Sequence, residues 1–123
     1  MQVVQYDWFK ALKYCEDRNL TLASIRSKEE NMEVFEAFKS IISKEEAVWL
    51  GGYNFYNCKT RRDCVWRWTG DRSEITYTPW NKDQPDNTDD REYCLDMVPN
   101  GNFNDLDCYK PYYFMCENKC RCY

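Results

Sequence analysis

Eight cysteines in 123 residues, with no histidine anywhere, constrain this chain more than any other feature of its sequence. They stand at positions 15, 58, 64, 94, 108, 116, 120 and 122. Cytosolic chains carry so many thiols chiefly when they bind metal. Structural zinc favours paired C-x2-C spacings, often completed by histidine. Here the only close pair is Cys120 and Cys122. A disulfide framework built in an oxidising compartment is therefore the better reading, and with it a secreted or extracellular location. The one glycosylation sequon, Asn19-Leu20-Thr21, is compatible with that location.

The length suits one domain with one core. Five Trp and ten Tyr lift the aromatic share to 17%, enough apolar mass for a packed globule. The net charge of -4 and the lack of a basic run argue against nucleic acid as a partner. No stretch approaches the ~20 apolar residues of a membrane span. Met1 to Tyr6 do not read as a signal peptide.

The spacing of Trp8, Ala11, Leu12 and Cys15 predicts a helix over Asp7 to Arg18, with Asp7 as its cap. Leu20 to Ile25 is a short apolar stretch. Ser27-Lys28-Glu29-Glu30 matches a capping box, with Ser27 as N-cap and Glu30 reaching back to it. Met32, Phe35, Phe38, Ile41 and Ile42 are expected to form the buried stripe of a second helix. Strands are expected over Ala47 to Tyr53, Val65 to Thr69, Leu95 to Val98 and Tyr112 to Cys116. Thr69 to Asn104 is otherwise polar and rich in turn residues, and a loop region of that length in a small domain is usually functional. Helices first and strands later make the fold class α+β.

Oxygen-bearing side chains crowd the region from 81 to 107: Gln84, Asp86, Asn87, Asp89, Asp90, Glu92, Asp96, Asn104 and Asp105. Calcium is a hard cation that takes about six to eight oxygen ligands, so this composition suits it. On composition alone, a solvated surface loop is the better reading. No EF-hand loop pattern is present.

Order and spacing add what composition lacks. Trp8, Ala11 and Cys15 fit W-x2-A-x3-C. Trp49-Leu50-Gly51-Gly52 fits W-[IL]-G-[LG]. Trp66, Trp68 and Gly70 precede the long loop, and Tyr77, Thr78 and Trp80 lead into Gln84-Pro85-Asp86. Glu92 stands two before Cys94, Phe103-Asn104-Asp105 replaces a W-N-D motif, and Phe114, Cys116 and Glu117 fit F-x-C-E. Over nearly its whole length the chain resembles the C-type lectin family, in the galactose-type QPD subgroup. The resemblance implies two helices packed on short antiparallel sheets, a long calcium-binding loop, and disulfide staples. It implies a carbohydrate-recognition domain over 1–117 and a cysteine-containing tail over 118–123.

The resemblance further implies one Ca2+ held by Gln84, Asp86, Glu92, Asn104 and Asp105. The same residues would bind the sugar, whose two neighbouring hydroxyls complete the shell. Pro85 would come after a cis bond. The expected partners are glycans of the galactose or N-acetylgalactosamine type. Two departures stand against the pattern. Asn87-Thr88-Asp89-Asp90-Arg91 carries no aromatic ring to stack on the sugar, so galactose affinity should be weak or altered unless Tyr93 or Phe103 substitutes. Tyr93 and Asn87 also make poor ligands for an auxiliary calcium. Trp49, Trp66 and Trp68 are read as core residues rather than sugar platforms.

The same mapping implies disulfides Cys15–Cys116 and Cys94–Cys108 and leaves Cys58–Cys64 as a local hairpin staple. A different class of function is a non-sugar member of the same fold, binding a protein partner or ice. An enzyme is not expected, because no histidine can serve as base and the carboxylates are better explained as metal ligands. Cys120 and Cys122 remain. Residues two apart bridge only with strain, so an interchain bond, giving a covalent homo- or heterodimer, or a bond to a missing segment, is expected. One weak site per chain gains much from paired display. On non-reducing gels the full-length secreted protein should run as a dimer or larger species that reductant collapses. A clean monomer would instead indicate free thiols in a frayed tail.

Overall fold

Asp7 begins the first helix by accepting a hydrogen bond from the N–H of Lys10 at 2.8 Å. The computed structural model describes residues 2–40, 46–54, 65–82 and 93–118. Within them α1 spans Trp8–Glu16 and turns Trp8, Ala11 and Cys15 inward. Ser27 caps α2 (Lys28–Lys39) through the N–H of Glu30. The Glu30 carboxylate reaches back not to Ser27, as expected, but to the N–H of Arg26 one residue earlier, at 3.2 Å.

The strands, in chain order, are β1 (Gln2–Tyr6), β2 (Leu20–Leu22), β3 (Val48–Tyr53), β4 (Arg67–Trp68), β5 (Cys94–Met97), β6 (Phe103–Leu106), β7 (Tyr112–Phe114) and β8 (Cys116–Asn118). The main sheet runs β1-β7-β3-β5-β6, with β4 added to β3, and β2 pairs with β8 in a separate two-stranded sheet. All pairings are antiparallel except β3 with β7.

β3 is buried along almost its whole length because successive side chains enter two different hydrophobic clusters. Val48 and Leu50 join Phe38 of α2, Trp66, Trp68, Leu95, Met97 and Phe103. Trp49 joins Trp8, Ala11 and Cys15 of α1, with Cys94, Cys108 and Phe114. The indole N–H of Trp8 donates to the carbonyl of Leu50 at 2.8 Å, and that of Trp49 reaches the carbonyls of Tyr6 and Lys110. Trp49, Trp66 and Trp68 are thus core residues, at most 5% exposed. Two disulfides match the expected pairs. Cys15–Cys116 joins α1 to β8, and Cys94–Cys108 joins the start of β5 to the residue pair beyond β6.

Four details differ from the sequence reading. β1 is an additional strand, and so is β6, which forms inside the polar region. The closing strand breaks at Met115, whose carbonyl accepts from the N–H of Ala23 at 2.8 Å. Met32 is 56% exposed. The inward face of α2 is centred instead on Asn31, Val34, Phe35 and Phe38, with Asn31 donating to the carbonyl of Gly101 at 3.0 Å. Ile41, Ile42, Cys58 and Cys64 lie outside the described residues, as do Cys120 and Cys122.

The turn after β4 is tied to the start of α2 through Asp71. Its carboxylate accepts from the hydroxyl and N–H of Ser73 at 2.6 and 2.9 Å, and from Arg26 at 3.0 Å. The Ser73 hydrogen bonds, helped by Arg26, hold its pKa at about 2, below the ordinary 3.8. A carboxylate depressed in the folded state stabilises fully above its unfolded pKa, and that stability disappears as pH falls through the folded value. Asp71→Asn should therefore lower the melting midpoint at pH 7, by a small amount since the side chain is 53% exposed. The gap to wild type should shrink as pH falls from 4 through 2, as the wild-type carboxyl takes up its proton. A gap unchanged at pH 2 would show that the carboxylate's charge contributes nothing.

Candidate functional site

β6 is an edge strand of unusual composition, Phe103-Asn104-Asp105-Leu106, and its register with β5 orders its side chains. Asn104 stands across from Asp96, and Asp105 across from Leu95. Directly opposed residues of an antiparallel pair share a face, so Asn104 and Asp105 belong to opposite faces of the ladder. Asp105 is only 1% exposed, and Asp96 is buried as well. Burial of a carboxylate is sustained where hydrogen bonds or a cation replace its water. An amide oxygen next to a carboxylate oxygen is a donor set that suits a hard cation such as calcium.

Three features hold β6 in place. The turn before it closes through Gly101, at φ +89, whose N–H donates to the carbonyl of Val98 at 2.8 Å. An added Cβ at Gly101 would meet the Phe35 ring at 3.3 Å, and Asn31 of the same helix grips the Gly101 carbonyl. α2 therefore clamps the entry to the strand. At its far end, the Cys94–Cys108 disulfide and the N–H of Trp8, which donates to the carbonyl of Cys108 at 2.8 Å, fix the exit.

The outer edge of β6 is covered by residues Pro79 to Asn81. Phe103 donates its N–H to the carbonyl of Pro79 at 2.8 Å and accepts from the N–H of Asn81 at 2.7 Å. The Asn81 side chain in turn accepts from the amide of Asn100 at 2.9 Å. Asn81 thus sits against β6 immediately before Asn104. On the other side, Cys94 pairs with Leu106 immediately after Asp105.

Asn104 and Asp105 are neighbours on β6 with their side chains on opposite faces of the ladder. Gln84, Pro85, Asp86 and Glu92 lie outside the described residues, as does Asn87. Among the described residues there is no group of three or more His, Cys, Asp or Glu side chains that could hold a metal. Phe103 is not available as a sugar platform. It is fully buried, with Trp68, Tyr77 and Trp80 packed edge-on to it at 6.2 to 6.3 Å between ring centres. Tyr93 is half-buried and packs against the α1 cluster. Sequence reasoning placed Asp96 in the acidic region without a role; only the register shows that it is the residue facing Asn104.

A family model described as the lectin C-type domain matches residues 4–118. C-type lectin BML-1 of Bungarus multicinctus is 32% identical over 117 residues, covering 91% of this chain and 70% of that protein. The C-type lectin galactose-binding isoform of Pseudechis australis is 31% identical, again over 91% of this chain and 70% of that protein. Two other relatives are longer, and the chain spans 41% of one and 28% of the other. Among solved structures, C-type lectin CEL-I from Cucumaria echinata superposes with a TM-score of 0.80 at 27% identity, covering 94% of this chain and 84% of that one.

Proposed function

The chain belongs to the C-type lectin domain family, and on that basis we propose that it binds glycans of the galactose or N-acetylgalactosamine type through one calcium ion held by Gln84, Asp86, Glu92, Asn104 and Asp105. Membership of the family points to calcium-dependent carbohydrate binding. C-type lectins are binding proteins, and the reading contains no catalytic step. With its disulfides the domain suits an extracellular setting. Among the described residues no helix is long and apolar enough to cross a membrane.

The observation that carries the reading is that residues flanking 83–92 are tied to β6 on either side of Asn104 and Asp105, Asn81 by its bond to Phe103 and Cys94 by pairing with Leu106. Gln84 comes three residues after Asn81, which is bonded to β6. A fully extended chain covers at most about 11 Å in that interval. Glu92 precedes Cys94, paired with β6, by two residues, or at most about 7 Å. Chain connectivity thus keeps the proposed ligands at the two ends of the segment within reach of the two on the strand. Five side chains, with Asp105 adding its main-chain oxygen, give six donors of the roughly six to eight that calcium accepts.

Calcium, when bound, would supply the positive centre to which two neighbouring sugar hydroxyls attach. The chain's own groups would then sort the hydroxyls. Gln84 offers both a donor and an acceptor, whereas Asp86 only accepts. That asymmetry would select one arrangement of hydroxyl pair, and the order Gln-Pro-Asp favours the galactose arrangement. The name of the Pseudechis australis relative accords with that choice. With Phe103 buried and no ring between Asn87 and Arg91, affinity would rest on these polar contacts rather than on stacking.

Calcium should raise the melting midpoint, because a ligand that binds only the folded state adds about 2.7 kcal/mol at a hundredfold excess over Kd. Asp105→Ala should abolish the difference between calcium and chelator. An identical midpoint in both conditions for the wild type would remove the calcium site.

Exchanging amide and acid by Gln84→Glu with Asp86→Asn leaves the ligand charge unchanged. Calcium stabilisation should survive while the ratio of galactose to mannose affinity, measured by competition in calcium, moves toward mannose. A mutant that keeps calcium with an unmoved ratio would show that these positions do not set specificity.

A further inference from the structure

We propose that Asn19 is the acceptor of an N-linked glycan, fully occupied because the fold closes over its sequon only after the last strand has been made. The proposal rests on the extracellular location argued above and is independent of the calcium site.

Asn19 lies in the turn between α1 and β2 and is exposed. Its backbone adopts φ +60, and its N–H donates to the carbonyl of Glu16 at 3.0 Å. Among the described residues its side-chain amide makes no hydrogen bond, so none of them competes for Nδ2. The sequon's other half behaves differently. Thr21 is 1% exposed, and its hydroxyl lies 2.7 Å from that of Thr69. In the finished domain the sequon cannot be read, so transfer must precede closure.

The partners that bury Thr21 arrive late. Thr69 is 48 residues further along the chain. Thr21 pairs with Glu117 across β2 and β8, Ala23 donates to the carbonyl of Met115, and Cys15 bonds to Cys116, 101 residues away. β2 therefore has no strand partner until almost the whole domain has been synthesised. At ~5–20 residues per second, that leaves the sequon open for about 5–20 s. During this time the Thr21 hydroxyl is free beside Asn19.

In the transfer step, Nδ2 of Asn19 attacks the anomeric carbon of an oligosaccharide carried on a polyprenyl pyrophosphate. A C–N bond forms, the C–O bond to the pyrophosphate breaks, and the proton lost from the amide is taken up by the departing polyprenyl pyrophosphate. The polyprenyl pyrophosphate departs, and no redox partner is required. The folded domain accommodates the product because Asn19 points to solvent. Leu20 beside it pairs with Asn118 in the β2–β8 sheet, whereas the proposed lectin site is on β6 of the main sheet. The glycan would therefore flank the C-terminal strand and leave the lectin site open.

The test expresses the full chain through the secretory pathway of cultured mammalian cells and analyses cell-associated and secreted material with and without peptide-N-glycosidase. Wild type should appear wholly as a species heavier by one glycan, which the glycosidase removes. Asn19→Gly should lose the increment and still fold, since glycine accepts φ +60 without strain. Thr21→Ser should keep it. Adding reductant during synthesis, which delays the Cys15–Cys116 bond, should leave occupancy unchanged. An unmodified wild type, or a glycan that persists in Asn19→Gly, would overturn the assignment. Partial occupancy that rises with reductant would overturn the late-closure argument. Calcium-dependent melting of the same material reads the lectin site separately, so failure of one reading does not imply failure of the other.

Discussion

Gly51 leaves no room for a side chain, and much of the fold depends on that. A Cβ there would stand 2.8 Å from both the Leu22 carbonyl oxygen and the Thr69 hydroxyl. The absence of a side chain lets the chain after β2 lie directly against β3, where Gly51 donates to the Ala23 carbonyl at 2.8 Å and accepts from Thr69 at 3.0 Å. Gly52 makes a similar concession on its own account, since a Cβ there would fall 2.6 Å from the Leu95 side chain. The small and large sheets are joined at this crossing. Trp8 seals it from the α1 side by hydrogen bonding to Leu50, one residue earlier. The Trp49 to Gly52 run is thus two bulky residues that fill a core and then two empty positions that let strands meet.

From that crossing, order extends outward to β6. Leu95 packs over Gly52, and its strand holds β6 in register. α2 secures the turn before β6 through Asn31 and Phe35, while α1 and a disulfide secure the residues just beyond the strand. The two ligands proposed on β6 are therefore set by packing that exists before any ion arrives. This kind of preorganisation is what a binding site needs if it is not to spend its affinity on ordering its own donors.

Much of this was legible in the sequence, and for identifiable reasons. Asp7 and Ser27 announce helix starts because capping is local chemistry. Trp8, Ala11 and Cys15 announce an inward face because helical spacing is regular. The pairings of Cys15 and Cys94 came from resemblance to a family, not from spacing, and the structure contains both. What was missed depended on contacts distant in sequence. Asn31 stands half-buried at the start of the inward face of α2, where an apolar residue would be expected, because it bonds Gly101 seventy positions later. Phe103 has the chemistry of a sugar platform, but three rings bury it. β6 was hidden because Asn and Asp are poor strand formers. Local propensity fails there at the residues with a proposed task, as is common where function overrides it.

The placement of the chain ends has a consequence of a different kind. Gln2 in β1 pairs with Phe114 in β7, and Cys116–Asn118 begins two residues later. Gln2 and Phe114 thus stand side by side, Gln2 on the edge strand of the main sheet opposite β6, while Asn118 pairs with Leu20 in the smaller sheet. A domain wired in this way can be spliced into a longer polypeptide as a plug-in unit. Close termini are also what make insertion and permutation tolerable. Architectures built around the domain could therefore diversify by lengthening, tethering or repeating it, with no change to the packing that supports Asn104 and Asp105.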